Sequence, residues 1–179
     1  YGFLNMFYSA LEQCEPTHIM VAFDRREPTF RHKEYKDYKA GRKPMPDELI
    51  PQFPLLRQTL TRMNVPTCDL VGYEADDLLG TLSRISDENG GTCVILSGDK
   101  DTLQLISEQT TVWITKRGIS ETEKFDGAHL KEVYGLVPAQ ITDLKGLMGD
   151  SSDHIPGVAG IGEKTALKLL GEYGTVEHV

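Results

Sequence analysis

Eight carboxylates stand where they could share one task. Asp24 ends the apolar run His18-Ile19-Met20-Val21-Ala22-Phe23. Asp99 and Asp101, in Ser97-Gly98-Asp99-Lys100-Asp101, follow a second such run. Glu74, Asp76 and Asp77 open a helical pattern directly after a third, and Asp150 and Asp153 bracket the polar stretch Gly149-Asp150-Ser151-Ser152-Asp153. Alone, the Glu74–Asp77 group reads equally well as acidic residues favoured by a helix dipole. Alone, the last stretch reads as a polar turn. Together they suggest more. Crowded like charges raise one another's pKa unless a cation neutralises them. Oxygen donors with no His or Cys ligand pair among them suit Mg²⁺ or Mn²⁺ and disfavour zinc. A crowd of carboxylates is how a protein builds a two-metal site, with ions ~3.5–4 Å apart, for in-line phosphoryl displacement.

Residues 25–43 carry the opposite charge. Arg25, Arg26, Arg31, Lys33, Lys36, Lys39, Arg42 and Lys43 stand against Glu27, Glu34 and Asp37: eight against three, a local balance of +5. Tyr35 and Tyr38 lie among them. Basic side chains for phosphates, with aromatic faces for stacking, are what single-stranded nucleic acid requires. The plainer alternative is a solvated helix face with i,i+4 pairs such as Glu34 and Tyr38. The nucleic-acid reading is preferred, because a positive segment beside a carboxylate crowd would hold a polyanion where metals could cut it. Further on, Pro156-Gly157-Val158-Ala159-Gly160-Ile161-Gly162-Glu163-Lys164 leads into a helix predicted over 165–170. Gly157, Gly160 and Gly162 would let the backbone approach a phosphate, and the helix N-terminus adds free N–H groups. Lys164 and Lys168 sit one turn apart there. The spacing is neither a Walker loop nor a dinucleotide fingerprint. A tight interhelical turn is the alternative; phosphate-backbone binding without base readout is the sharper reading.

These groups need elements to position them. Apolar periodicity predicts a helix over 1–15, with Phe3, Leu4, Phe7 and Leu11 on one stripe. Strands are predicted over 18–23, 65–71, 92–96 and 111–115, with a hairpin partner or edge strand over 119–125. A helix over 47–63, with Leu49, Leu56 and Leu60 facing the core, should kink or split at Pro51 and Pro54. Helices follow over 74–86 and 101–106. The alternation implies an α/β domain with a mainly parallel sheet, which places the strand-end carboxylates at one ligand crevice. From Asp126 onward the pattern is helical and glycine-richer, so a boundary is expected between a core of 1–125 and a subdomain of 126–179.

The composition, 39% hydrophobic and 26% charged over 179 residues, excludes disorder and collagen-like structure. No apolar run is long enough to cross a bilayer, so no membrane is expected. Tyr1 is not expected to be the natural start. Cys14, Cys68 and Cys93 have no paired or metal-like spacing and read as buried core thiols in a reducing cytosol. Trp113 reads as packing, the five His residues form no ligand pair, and no Ser or Cys has a nucleophile context. The net charge of −8 and pI near 5.1 argue, at first sight, against a basic nucleic-acid binder. The eight carboxylates equal that whole excess, however, so the distribution of charge informs more than its total.

The motifs, taken in order, resemble a known family. Val21-Ala22-Phe23-Asp24, Thr29-Phe30-Arg31-His32, Tyr38-Lys39-Ala40-Gly41-Arg42, Gly72-Tyr73-Glu74-Ala75-Asp76-Asp77, Ser97-Gly98-Asp99-Lys100-Asp101, Leu147-Met148-Gly149-Asp150-Ser151-Ser152-Asp153 and the turn Gly157–Lys164 form one series. It resembles the 5′-nuclease domain of bacterial DNA polymerase I, in the flap endonuclease family, over essentially the whole chain. The resemblance implies a PIN-like α/β core with a helical arch, about 25–46, followed by a helix–three-turn–helix DNA-binding subdomain truncated at its C-terminus. It implies a metal-dependent 5′→3′ exonuclease and flap endonuclease of replication and repair, acting without a covalent intermediate and leaving 5′-phosphates. Asp24, Glu74, Asp76, Asp77, Asp99, Asp101, Asp150 and Asp153 match metal positions for two Mg²⁺ or Mn²⁺ ions. Tyr38, Lys39 and Arg42 match residues that grip the scissile phosphate, with Arg31 as a further contact. Gly157, Gly160, Gly162, Lys164 and Lys168 match the duplex-binding module, which in the family also holds K⁺. The partners implied are DNA with a 5′ flap, nick or branch, and a polymerase domain in the same full-length chain. A monomer in the bacterial cytoplasm, associated with the nucleoid, is expected. The family's first strand, with an Asp-Gly pair whose Asp ligates metal, has no counterpart here. His154 stands where Asn is usual, and Pro51 where a polar residue is usual. The rival readings are a PIN-type ribonuclease, which the glycine-rich module disfavours, and a non-catalytic branched-DNA-binding module, which the missing Asp allows.

Overall fold

The computed structural model describes residues 1–116 and 121–179. The described elements are α1 (Gly2–Cys14), β1 (Val21–Ala22), α2 (Phe30–Glu34), α3 (Gln52–Arg62), β2 (Thr67–Cys68), α4 (Ala75–Glu88), β3 (Cys93–Ser97), β4 (Thr110–Thr115), β5 (Thr122–Phe125), α5 (Gly127–Tyr134), α6 (Gln140–Met148) and α7 (Glu163–Tyr173). Short 3₁₀ turns cover Lys100–Leu105 and Val176–His178. The chain divides into two compact units: residues 16–79 with 152–154, and residues 1–15, 80–151 and 155–179.

The unit containing residues 16–79 has a two-stranded parallel sheet, with Val21 opposite Thr67 and Ala22 opposite Cys68. Both strands are far shorter than the apolar runs predict. Pro66 has no N–H to lend the ladder; only its carbonyl takes part, accepting from the Val21 N–H at 3.1 Å. Beyond Cys68, Asp69 turns to an ion network, its two oxygens each 2.7 Å from a guanidinium, Arg25 on one side and Arg57 on the other. The long helix predicted from Asp47 does split at its prolines. Residues 47–51 form turns and α3 starts at Gln52. Pro54 falls in the first helical turn, where a missing N–H leaves no intrahelical bond unmade. Leu60 is fully buried and Leu56, on the same helix, half-buried, whereas Leu49 is exposed because α3 starts three residues after it. Of the 25–46 stretch, only α2 is helical. It starts from a capping box in which Thr29 and His32 bond reciprocally.

The other unit has a three-stranded sheet in the order β3-β4-β5. β3 and β4 are parallel, with Cys93 opposite Thr110 and Ser97 opposite Ile114. β4 and β5 are antiparallel, with Val112 opposite Phe125. The single mainly parallel sheet that the sequence suggests is thus two sheets with one antiparallel edge. Ile119 and Ser120, in the predicted edge strand, lie outside the described residues. Val112, Trp113 and Ile114 are all buried, as a central strand covered on both faces requires. Trp113 packs in this core, with the Lys124 ammonium 3.9 Å from its ring centroid. Of the stripe on α1, only Phe7 is buried. Cys14, Cys68 and Cys93 are free and half-buried rather than fully buried.

The helical end of this unit is built on close backbone approach. α6 buries Ile141, Leu144 and Leu147, and α7 buries Ala166 and Leu170 while exposing Lys164 and Lys168. The Gln140 amide joins the two helices by donating to the carbonyls of Leu170 (3.3 Å) and Gly174 (2.6 Å). Between the helices the chain doubles back, and the Val158 N–H donates to the Leu147 carbonyl at 2.8 Å. Gly157 has φ +63°, and a Cβ there would lie 2.3 Å from the Gly149 nitrogen. Its glycine identity is therefore required by chain packing. Gly162, at the start of α7, has open space around it and an ordinary φ of −96°. Among the described residues, no helix is long and apolar enough to cross a membrane. Gly157→Ala is expected to destabilise by about 3 kcal/mol or more, from overpacking plus left-handed strain, and Gly162→Ala by less than about 1 kcal/mol. Denaturant melts of both variants check this; equal losses would contradict the assignment.

Candidate functional site

The unit containing residues 16–79 gathers Asp24, Glu74, Asp76, Asp77 and Asp153 with Arg31, Tyr38, Lys39 and Arg42. Asp24 extends past β1 and accepts the Ala75 N–H at 2.8 Å, so it caps the start of α4. Asp76 and Asp77 lie in the first turn of that helix, where its dipole favours negative charge. Arg31, carried by α2, grips Asp77 bidentately, with both bonds at 2.8 Å. Asp77 also accepts the Glu74 N–H at 2.9 Å. The hydrogen bonds from Arg31 hold the Asp77 carboxyl below the usual aspartate range, against a smaller opposing effect of burial.

Tyr38 stands at the middle of this cluster. Its hydroxyl donates towards Glu74 Oε2 and Asp153 Oδ2, each 3.0 Å away. The Lys39 ammonium reaches the other Glu74 oxygen at 2.7 Å, and Arg42 reaches the other Asp153 oxygen at 2.6 Å. Each carboxylate is thus held by a phenol on one oxygen and a cation on the other. Burial, with Glu74 and Asp153 adding to it, pushes the Tyr38 phenol far above its ordinary range, so it remains a neutral donor. Its ring is buried edge-on to His32, with centroids 5.1 Å apart. The expectation that Tyr38 offers a stacking face is therefore corrected: burying the ring is what brings the hydroxyl to the carboxylates. Tyr35 stays exposed, its hydroxyl donating to the His154 carbonyl at 3.2 Å. Lys39 and His154 both take left-handed backbone conformations, φ +59° and +60°. The Lys39 N–H donates to the Asp153 carbonyl at 3.1 Å, and the His154 ring is 3.0 Å from the Asp37 carbonyl. The 38–42 turn and residues 152–154 are thus joined by backbone as well as charge.

The second unit holds Asp99, Asp101 and Asp150. Asp99 follows β3 and caps the 3₁₀ turn, its Oδ1 accepting the Asp101 N–H at 2.9 Å. Asp150 is pinned by two backbone hydrogen bonds exchanged with Ile155, both 2.8 Å. Between Asp101 and Asp150 stands a residue the sequence reading did not single out. The Lys145 ammonium, from the last turns of α6, lies 2.7 Å from Asp101 Oδ1 and also donates to Asp150 Oδ2. Asp101 Oδ1 is buried and has no hydrogen bond, its contact with Lys145 being an ion pair outside hydrogen-bond geometry. Burial, with Asp99 and Asp150 adding to it, raises the Asp101 carboxyl above the usual range, against the opposing pull of Lys145. Burial works against a charged Lys145, yet Asp101 and Asp150 outweigh it and hold the ammonium above the ordinary lysine range. No spacing rule relates a lysine inside a helix to an aspartate on a distant turn, so the sequence carries no signal for it.

Among the described residues, no group of three or more His, Cys, Asp or Glu side chains is drawn together closely enough to hold a metal ion. Cations hold Glu74, Asp77, Asp101, Asp150 and Asp153 instead. The donor set still fits a hard divalent ion: it is all oxygen, and the buried Asp101 Oδ1 is short of a hydrogen bond. The glycine turn and exposed Lys164 and Lys168 lie in this second unit, as does Lys100, whose ammonium donates to the Tyr134 hydroxyl at 2.9 Å.

Two family models together match the chain end to end. One, described as 5'-3' exonuclease, N-terminal resolvase-like domain, covers residues 1–135; the other, 5'-3' exonuclease, C-terminal SAM fold, covers 136–179. The chain belongs to the 5′-3′ exonuclease family. It is 52% identical over 179 residues to a DNA polymerase I of Bacillus caldotenax, matching 100% of this chain and 20% of that protein. It therefore spans about a fifth of the length of the curated relatives it matches. In fold it is similar to T5 5′-exonuclease, solved with divalent metal ions (zinc), at a TM-score of 0.80 and 23% identity over 98% of this chain and 68% of that one. It is also similar to the catalytic core of Rad2, solved with a DNA substrate, at a TM-score of 0.60 and 16% identity over 99% of this chain and 54% of that one. The fold is thus the PIN-like α/β arrangement with a following helical part.

The Arg31–Asp77 pair sets an acid limit on stability. A carboxyl with a lowered folded-state pKa contributes stability that is complete above its unfolded value, about 3.9, and is lost as pH falls through the folded value. Arg31→Met should therefore lower stability at neutral pH and flatten its fall below about pH 4. Urea melts from pH 2 to 7 test this; an unchanged acid limb would remove Asp77 from the account.

Proposed function

We propose that this chain supplies a structure-specific 5′-nuclease activity, a 5′→3′ exonuclease and 5′-flap endonuclease that hydrolyses DNA phosphodiesters. The observation that carries the reading is the cluster in which Tyr38, Lys39 and Arg42 all bond to Glu74 or Asp153. It presents hard oxygen donors and paired cations from one short turn, which is the equipment phosphodiester hydrolysis requires. Family membership and the DNA-bound and metal-bound neighbours support it.

In this reading Asp24, Glu74, Asp76, Asp77 and Asp153 in one unit, and Asp99, Asp101 and Asp150 in the other, are ligands or water-orienters for two Mg²⁺ or Mn²⁺ ions. Such ions, when bound, supply Lewis-acid polarisation of the phosphate and a water of lowered pKa. The chain's own side chains do the rest. Lys39 and Arg42 hold the scissile phosphate and meet the charge that develops on its oxygens. Tyr38, kept protonated, donates to Glu74 and Asp153 and fixes their orientation. Arg31 is a further phosphate contact. Gly157 shapes the turn, while Gly160, Gly162, Lys164 and Lys168 meet the duplex backbone without reading bases. That module would also take K⁺. We assign residues 1–125 to the nuclease core, with an arch at about 25–46, and 126–179 to the DNA-binding part. A polymerase domain in the same full-length protein, a monomeric state, and a cytoplasmic, nucleoid-associated location complete the proposal.

A 5′-flap DNA substrate tests it. Cleavage with Mg²⁺ that is lost in EDTA is expected; tight flap binding without cutting in the full-length protein would overturn it, and preference for RNA would favour a ribonuclease. Lys39→Ala should lower kcat by about a hundredfold while changing duplex affinity by less than about tenfold. Equal losses in both would contradict the role given to Lys39.

A further inference from the structure

We infer that Lys145 is a resident counter-cation, occupying the space between Asp101 and Asp150 and competing with a divalent ion for them. The inference rests on the proposed reading of these two aspartates as metal ligands. Its basis is a difference in how the three groups are held. Asp150 is fixed through its own backbone, exchanging two hydrogen bonds with Ile155. Asp101 is fixed through the 3₁₀ turn, whose first N–H groups are tied to Asp99. Lys145 instead reaches the pair at the end of a four-carbon stem, and its side chain is 30% exposed, against 27% for Asp101 and 11% for Asp150, so the ammonium can swing towards solvent while the carboxylates stay tied to their turns. The anions are anchored next to their own backbones, and the cation is held only by the tip of a long side chain.

The contacts are also those of a substitute. One ammonium lies against a carboxylate from each of two elements, as a bridging ion would. It leaves Asp101 Oδ1 buried without a hydrogen bond, a deficit that the ion pair offsets only in charge. An ammonium has three directed donors, and here none of them is aimed at Asp101 Oδ1. Lys145 therefore compensates charge while the protein is metal-free and retracts when a divalent ion enters. A side chain that must be displaced weakens the binding of what displaces it, and one that neutralises buried carboxylates stabilises the metal-free fold.

Mn²⁺ binding to the DNA-free full chain, read from the electron paramagnetic resonance signal of free Mn²⁺, tests this without any turnover. Asp101→Asn defines the part of the binding that belongs to this cluster. Lys145→Met should tighten that part by about tenfold or more, since a positive charge at such distances opposes a second cation even at a high effective dielectric. It should also lower the melting temperature of the metal-free protein and enlarge the rise produced by Mn²⁺. Lys145→Arg keeps the charge and should stay close to wild type. If Asp101→Asn abolishes binding but Lys145→Met leaves it unchanged, the inference is wrong and the metal reading stands. If Asp101→Asn changes nothing, the metal reading of this cluster fails, and the inference with it. Equal tightening by Lys145→Arg and Lys145→Met would show that packing, not charge, is responsible.

Discussion

Charge compensation at close range is the constraint on which both units depend. Carboxylates gathered on a protein interior face raise one another's energy, and burial adds to it. This chain meets the cost with basic side chains from other segments: Arg31 for Asp77, Lys39 for Glu74, Arg42 for Asp153, and Lys145 for Asp101 and Asp150. Removing one partner of such a pair leaves the other charge partly buried and alone, which costs far more than the pair contributes. The elements that carry them are arranged accordingly. Short strands end in acids, a helix start accepts them, and the 38–42 turn is held to residues 152–154 by backbone as well as side-chain bonds.

The same pairs serve two purposes at once. In the metal-free protein they are ion pairs that hold segments together. In the proposed reaction the same cations would meet a phosphate and the same carboxylates a divalent ion. Tyr38 links the two roles. Its hydroxyl contributes no charge of its own, and burial keeps it from ionising, so it orients Glu74 and Asp153 whichever cation they face. A tyrosine kept as a donor in this way has been drawn into the interior, which is why its ring offers nothing to a base.

Much of the site was legible because its acids sit at punctuation points. Asp24, Asp99 and Asp101 follow apolar runs, and Glu74, Asp76 and Asp77 precede a helical period, so pattern alone ordered them along the chain. β1 and β2 are shorter than the apolar runs that contain them. A run of apolar residues reports burial, not pairing, and Pro66 and Asp69 cut the β2 ladder to two residues. Periodicity places Leu49 in the core beside Leu56 and Leu60, but the helix begins only at Gln52 and leaves Leu49 outside it. Gly157 was legible as special yet for an incomplete reason: its bare Cα is required by the Gly149 backbone packed against it.

By itself the sequence determined the local terms: which residue types could bind a hard cation or a phosphate, where helices and turns begin, and the ordered motif series that resembles the 5′-nuclease family. These are properties of neighbours in the chain, set by spacing, propensity and backbone chemistry. Only the tertiary structure decided which opposite charges meet. The Lys145 contact with Asp101, the enclosure of Tyr38 between Glu74 and Asp153, and the bidentate grip of Arg31 on Asp77 join segments far apart in sequence. Coulombic attraction acts through space and has no period, so no pattern along the chain records its partners.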